Sequence, residues 1–174
     1  MMRVTIEAEL KELIRGIRLV VFDFDGVFTD NFVYVLRDGS EALRFWRGDG
    51  LGLQKLRKKK ALGLLVLSSE KNRLVTLRCR KLKIQCIQGT QDKWKALEKV
   101  LRRKRLKPEK VAFVGNDIND LECLRRVGVP IVVRDAQEPM VRVARYRTKK
   151  KGGEGAVREV CDLFDEILDK GRSL

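Results

Sequence analysis

The sequence predicts an α/β fold built on a doubly wound parallel sheet, and three observations carry that prediction. Short apolar runs alternate with amphipathic stretches along the chain, the pattern of repeated strand–helix units. Runs such as Leu19-Val20-Val21-Phe22 and Val111-Ala112-Phe113-Val114 are apolar at every position, as strands covered on both faces must be. Three of the runs also end in polar residues, Asp23 and Asp25, Ser68, and Asn116 and Asp117. In open parallel sheets, ligands bind beyond those carboxyl ends.

The elements follow in order. Glu7 to Ile17 reads as a helix, because Leu10, Leu13, Ile14 and Ile17 share one face. Leu19 to Phe22 is the first strand, broken by DFDGVFTD. Phe32 to Leu36 and Ala42 to Trp46 flank Arg37-Asp38-Gly39-Ser40, a hairpin signal because an Asp-Gly pair tolerates positive φ. A helix runs from Gly50 to about Lys60, then a buried strand from Leu62 to Leu67. Asn72 to Leu82 is a helix, Ile84 to Ile87 a short strand, and Asp92 to Lys104 another helix, with Pro108 punctuating the loop beyond. The strand Val111 to Val114 closes on GNDIND, and a helix runs on to Arg126. Pro130 to Val133 is a strand, Gln137 to Ala144 a short helix, and GGEGAVREVCDLFDEIL ends in an amphipathic helix. No repeat or linker interrupts residues 1–174, so one domain is expected.

Composition narrows the chemistry. Of 174 residues, 39 are Lys or Arg and 24 Asp or Glu, a formal net charge of +15, and none is histidine. That absence removes Ser-His-Asp and Cys-His nucleophiles, the HExxH helix and mixed Cys-His zinc sites. Catalytic acids and bases must be carboxylates, lysines or cysteines. The four cysteines Cys79, Cys86, Cys123 and Cys161 are widely spaced among apolar neighbours and read as buried free thiols. No apolar run approaches the roughly 20 residues of a membrane span. The charged N-terminal stretch lacks a signal-peptide core, and a soluble cytoplasmic protein is expected.

Asp23 and Asp25 leave the first strand two residues apart, and two such carboxylates repel unless a cation or proton intervenes. Oxygen ligands without histidine favour Mg²⁺ over zinc. With Ser68 and the GNDIND loop, three strands end in polar, potentially catalytic residues. Lys93 draws notice only by its place at a helix start after Gln88-Gly89.

These motifs resemble those of the haloacid dehalogenase (HAD) superfamily of phosphohydrolases, whose core is HAD-like and Rossmannoid. Asp23 to Asp30 matches its DxDGxxTD, Ser68 its strand-ending Ser or Thr, Lys93 in QGTQDK its lysine, and Gly115 to Asp120 its acidic loop. RFWRGDGLGL, IQGTQDK, VAFVGNDINDLECL and GGEGAVREV, in that order, resemble the small capless branch. That branch contains 3-deoxy-D-manno-octulosonate (KDO) 8-phosphate phosphatase and the acylneuraminate-type (nonulosonate) 9-phosphate phosphatases. Between Asp30 and Asp49 there is room only for a hairpin flap and no cap domain.

The resemblance implies roles. Asp23 is the nucleophile and Asp25 the acid and base, with Ser68 and Lys93 holding the phosphoryl oxygens. Mg²⁺ would lie against Asp23, Asp25, Asn116 and Asp117. Asn116 departs from the family's Asp, removing one negative charge, which Asp117 or Asp120 could offset. Thr29, Arg47, Asp49, Gly50, Ser69, Glu70 and Arg78 are implied around the substrate. The octulosonate enzymes carry Gly-Arg where Ser69-Glu70 stands, and SSEKN at Ser68 to Asn72 looks more like the nonulosonate side. The branch forms homotetramers in which a neighbour covers the site. Gly152, Gly153 and Arg158 are placed there as structural or interface residues, with Asp120.

Two other readings exist. The clusters Arg57 to Lys60, Arg102 to Arg105 and Lys149 to Lys151 could meet nucleic acid. They end helices or lie in loops without interleaved aromatics, so a solvated surface that attracts small anions is the reading adopted, and no nucleic-acid or membrane partner is expected. The second is a non-catalytic module that tetramerises or regulates a partner enzyme such as a cytidylyltransferase, left open by Asn116.

Overall fold

The computed structural model describes residues 2–59 and 61–170, and Lys60 of the first basic cluster lies outside them. Nearly every predicted element forms. The chain runs α1 (Met2–Gly16), β1 (Leu19–Phe22), β2 (Tyr34–Val35), β3 (Glu41–Ala42), α2 (Asp49–Arg57), β4 (Gly63–Leu67), α3 (Arg73–Leu82) and β5 (Gln85–Ile87). It continues through α4 (Lys93–Lys104), β6 (Val111–Gly115), α5 (Leu121–Arg126), β7 (Val129–Val132), α6 (Glu138–Val141), β8 (Tyr146–Arg147) and α7 (Ala156–Lys170).

Six strands form one parallel sheet in the order β5-β4-β1-β6-β7-β8, flanked by helices. β1 is central, with Val20 opposite Leu64 of β4 and Ala112 of β6. All four residues of β1 and all five of β6 are buried, which is why both runs lack alternation. The strand order reverses at β1, so its carboxyl end opens into the crevice between the β4 and β6 loops.

Local chemistry fixes the helices that frame this crevice. Asn72 caps α3, its side chain accepting the Leu74 N–H at 2.8 Å, and Asp92 caps α4 by accepting the Lys95 N–H at 2.8 Å. Leu97, Val100 and Leu101 carry the buried face of α4, while Arg102, Arg103 and Lys104 occupy its last turn, where the helix dipole favours cations. The basic clusters thus belong to solvated helix ends and loops. Lys59 pairs with Asp165 at 2.9 Å and Arg102 with Glu98 at 3.0 Å.

Three differences from the sequence reading have physical causes. The hairpin ladder is two residues a side rather than five, because residues 31–42 are all exposed and no buried face extends the pairing. Its return leg leaves the ladder, with Arg44 Nε 2.7 Å from Asp30 Oδ2 and Phe45 packed edge-on to Phe24. β8 was not predicted. Two residues carry no period, and it forms because Arg145 and Thr148 N–H groups donate to Pro130 and Val132 carbonyls of β7. Cys86 is half-buried, whereas the other three thiols are buried as expected. Among the described residues no helix is long and apolar enough to cross a membrane.

Candidate active site

The ladder carries Asp23 into the crevice, because its N–H donates to the Val114 carbonyl at 2.8 Å as β1 ends. The chain then turns at Gly26, where φ is +78°. A Cβ there would overlap the side-chain amide of Asn116 from the β6 loop, so glycine is required by backbone and by space. Thr29 Oγ1 accepts the N–H groups of Gly26 at 3.1 Å and Asn31 at 3.2 Å, closing the loop on itself. Phe24 and Phe28 stack beneath it, with ring centroids 5.4 Å apart.

α4 delivers Lys93 from below. Its Nζ lies 2.6 Å from Asp23 Oδ1 and 2.7 Å from Asp120 Oδ1, and solvent reaches none of the three appreciably. Such a buried trio holds only if each charge is met. The second Asp120 oxygen accepts the Asn116 N–H at 2.9 Å, so Asp120 fixes both the lysine and the β6 loop. Burial pushes the Asp23 carboxyl well above its usual range, the charge of Asp120 adds to this, and Lys93 opposes. Burial works to lower the Lys93 pKa, but the two carboxylates outweigh it and the ammonium is held more firmly than usual.

Above this trio is a pocket of about 300 Å³ lined by Asp23, Asp25, Ser69, Glu70, Asn116 and Asp117, with Asn31, Ile118 and Asn119 at its edge. Asp25 is half-buried. Burial raises its carboxyl, as do the charges of Glu70 and, more weakly, Glu41, with Lys93 acting in the other direction. A raised carboxyl beside an ionisable nucleophile suits a proton donor.

The donors fit a hard cation. Asn116 lines the pocket and is 8% exposed, and its Oδ1 is buried with no hydrogen-bond partner among the described residues. Among the described residues no three carboxylates or thiols gather into a metal cage by themselves, so an amide oxygen would have to complete the set. An all-oxygen set of Asp23, Asp25 and Asn116 matches Mg²⁺ chemistry. Asp117 lines the same pocket, with Oδ1 taken by the Ile118 N–H at 2.7 Å.

Several implied substrate residues fall elsewhere. Thr29 is 1% exposed, and its oxygen is committed to backbone donors, so it shapes the loop and does not face the pocket. Arg47, Gly50 and Arg78 line a separate groove with Lys81 and Lys83, because α2 starts against the far end of α3. Arg78 stacks over Phe45 at 5.0 Å. Asp49 is 1% exposed, Oδ1 accepts the Arg158 N–H at 2.9 Å, and burial pushes its pKa up to about 7. Ser68 ends β4 as expected, but it is buried, and its hydroxyl oxygen accepts the Glu70 N–H at 3.2 Å.

Within the chain, the C-terminal glycine loop packs against the loop that carries Asp25. Gly152 and Gly153 are buried, the Gly153 N–H donates to the Val27 carbonyl at 3.2 Å, and a Cβ on Gly152 would overlap the Gly26 carbonyl. Arg158 is engaged by its own chain, with Nε 2.7 Å from Asp162. These contacts give all three residues a structural role within the chain. Sequence reasoning did not single out Asn31, Ile118 and Asn119; Asn119 Nδ2 donates to Ser69 Oγ at 3.2 Å across the pocket. Their signal is position alone, since Asn31 directly follows DFDGVFTD and Ile118 and Asn119 lie within GNDIND.

A parallel sheet whose central strand ends in two aspartates over a buried lysine defines a phosphatase of the haloacid dehalogenase type. The chain belongs to that family: the model for haloacid dehalogenase-like hydrolases matches residues 67–160. It is 35% identical over 168 residues to the 3-deoxy-D-manno-octulosonate 8-phosphate phosphatase KdsC of Escherichia coli strain B, covering 96% of this chain and 88% of that one. Among solved structures it resembles the corresponding Moraxella catarrhalis phosphatase, which is in complex with magnesium, phosphate and KDO. The TM-score is 0.88 at 33% identity, covering 94% of this chain and 95% of that one. A cobalt-bound deoxy-D-mannose-octulosonate 8-phosphate phosphatase from Haemophilus influenzae matches with a TM-score of 0.85 at 26% identity, covering 91% and 92%.

Proposed function

We propose that this phosphatase is a Mg²⁺-dependent, single-domain, capless phosphomonoesterase acting on a 2-keto-3-deoxy sugar acid phosphate. The observation that supports it best is Asp23 at the end of β1 with Lys93 Nζ 2.6 Å away and Asp25 beside it in the same pocket. When bound, Mg²⁺ supplies the positive charge that lets an anionic phosphate approach an anionic carboxylate. Asp23 attacks phosphorus in line and forms an aspartyl-phosphate as the ester P–O bond breaks. Asp25 gives its proton to the departing sugar oxygen. It then takes one from the water that attacks phosphorus and releases phosphate from Asp23. Lys93 holds Asp23 in place and balances charge on the phosphoryl oxygens, while Ser68 and the Ser69 side of the pocket orient them.

Glu70 guides the choice of sugar. It lines the pocket where an arginine would meet a carboxylate, and the residues lining that pocket include no cation. A nonulosonate 9-phosphate, which presents hydroxyls near its phosphate, suits it best. KDO 8-phosphate is the second reading, favoured by the names of the relatives. A homotetramer in the cytoplasm completes the proposal. Its support is the exposed apolar hairpin, in which Phe32 is 70% and Val35 72% exposed, since patches of that kind mark interfaces.

Phosphate release from a panel containing both sugar phosphates tests the reading. Turnover that needs Mg²⁺ and vanishes in Asp23→Asn is expected, with Glu70→Arg moving preference toward KDO 8-phosphate. No release from any member would overturn it.

A further inference from the structure

A side-chain hydrogen bond spans the pocket between two loops whose strands are not neighbours in the sheet. Ser69 lies just beyond the end of β4 and Asn119 in the turn beyond β6, and β1 runs between those strands. The bond from Asn119 Nδ2 to Ser69 Oγ, 3.2 Å long, therefore bridges the end of β1, where Asp23 sits. Both partners line the pocket.

Each end of the bond is held by its own backbone. The Ser68 N–H donates to the Ile87 carbonyl at 2.9 Å and the Gly89 N–H to the Glu70 carbonyl at 3.2 Å, which pins residues 68–70 to β5 and the loop beyond it. Asn119 sits in the single turn Ile118–Asp120, closed by a capping box between Asp117 and Asp120. Two short side chains on fixed backbone give up little freedom when they meet.

The sense of the bond matters as much as its span. A serine hydroxyl carries one proton and two acceptor sites. Asn119 fills an acceptor site, so what Ser69 still offers is its proton. Donors are scarce there, because Asp23, Asp25, Glu70 and Asp117 all line the pocket and no lysine or arginine does. Ser68 is 1% exposed and its hydroxyl is engaged with Glu70 of its own loop, which leaves Ser69 as the serine that lines the pocket.

We propose that Asn119 is a positioning residue: its hydrogen bond ties the β4 and β6 loops across the end of β1 and leaves the Ser69 hydroxyl proton to donate to an oxygen of the bound phosphoryl group. The role assigned to Asn119 rests on the phosphatase reading for the identity of that anion.

Calorimetric binding of inorganic phosphate to the full chain with Mg²⁺ tests it. Ser69→Ala and Asn119→Ala are each expected to weaken binding about fivefold, as the loss of one neutral hydrogen bond does. The double variant is expected to bind no more weakly than Ser69→Ala, since the two residues act through one bond. Asn119→Asp keeps the tie but turns it round, so that the Ser69 hydroxyl donates to the new carboxylate and its proton is spent. At least about a tenfold loss is expected in that variant, and a smaller one when Asn119→Asp is made in Ser69→Ala, where only the added charge acts. Ser69→Thr, which keeps the hydroxyl, is expected to bind phosphate much as wild type does. KM for p-nitrophenyl phosphate and for a sugar phosphate is expected to rise by a similar factor in Asn119→Ala, because the phosphoryl group is common to both, with kcat changed less. Losses that multiply in the double alanine variant, or wild-type phosphate affinity in Asn119→Asp, would overturn the role of Asn119. A wild-type protein that binds phosphate but releases none from any phosphomonoester would overturn the phosphatase reading instead, and the binding cycle would still decide the role of Asn119.

Discussion

Lys93 Nζ stands between Asp23 and Asp120, 2.6 Å from one carboxylate and 2.7 Å from the other, with all three side chains closed to solvent. One ammonium serving two buried carboxylates is a strained economy of charge. Removing it strands both anions in a medium that solvates neither. Lys93→Met is therefore expected to abolish turnover and to destabilise the fold by about 3–5 kcal/mol, the usual effect of breaking a buried ion pair. The deficit should shrink in acid, where the stranded carboxyls take up protons. Thermal melts of both proteins between pH 5 and 8 measure it, and a constant deficit across that range would contradict the assignment.

Asn116 puts a neutral amide where its relatives' pattern has a carboxylate, with Oδ1 buried and unmet. Asn116→Asp is expected to bind Mg²⁺ about tenfold or more tightly, because one further anion faces the cation at short range. In metal-free buffer the same variant should melt lower than wild type, since the new charge faces Asp23 and Asp25. Titration calorimetry and melts with and without Mg²⁺ distinguish the two effects.

Asp49 is 1% exposed, and burial holds its pKa near about 7. A folded pKa above the unfolded value of about 4 means that the native state binds the extra proton, so stability falls as pH rises from about 4 to about 7 and is level beyond. Asp49→Asn keeps an acceptor for the Arg158 N–H and removes the titration. The variant should match wild type near pH 4, and at pH 8 it should be more stable by a few kcal/mol, about 2–4 °C in Tm for each. Equal melting at pH 8 would show that the native carboxylate is solvated.

Gly152→Ala introduces a methyl group where the Gly26 carbonyl lies. Backbone must move, and the backbone the methyl group meets belongs to the loop that carries Asp25. A loss of about 100-fold in kcat/KM is expected, as for a displacement near 1 Å at the reacting groups, together with a lower Tm. Gly152 is not at positive φ, so the loss reports the overlap with residues 26–29 and no added backbone strain.

Much of this was legible from sequence. The strands announced themselves because LVVF and VAFV are buried on both faces, and their polar ends named Asp23, Asp25 and Asn116. Lys93 was found through its motif. Its sharing with Asp120 was not, since nothing local reveals that two residues separated by a helix and a strand meet one ammonium. Arg47 and Arg78 were placed near the substrate by motif position, yet the face on which α2 meets α3 is a tertiary matter, and it carries them into another groove. The shortened hairpin reflects missing burial, which alternating residues cannot show. The fit of the glycine loop against Gly26 was not legible, because that packing partner lies at the other end of the chain.

That last contact joins the two ends of the chain in sequence order as well as in space. The loop holding Asp25 is shaped by a carbonyl-to-glycine fit with residues 152 and 153, which leave the ribosome long after Asp23 and Asp25 have done so. A nascent chain that has completed β1, β4 and β6 already owns every proposed catalytic side chain and still lacks the wall against which they are set. The part of the chain made almost last is therefore the part against which the first loop is fitted.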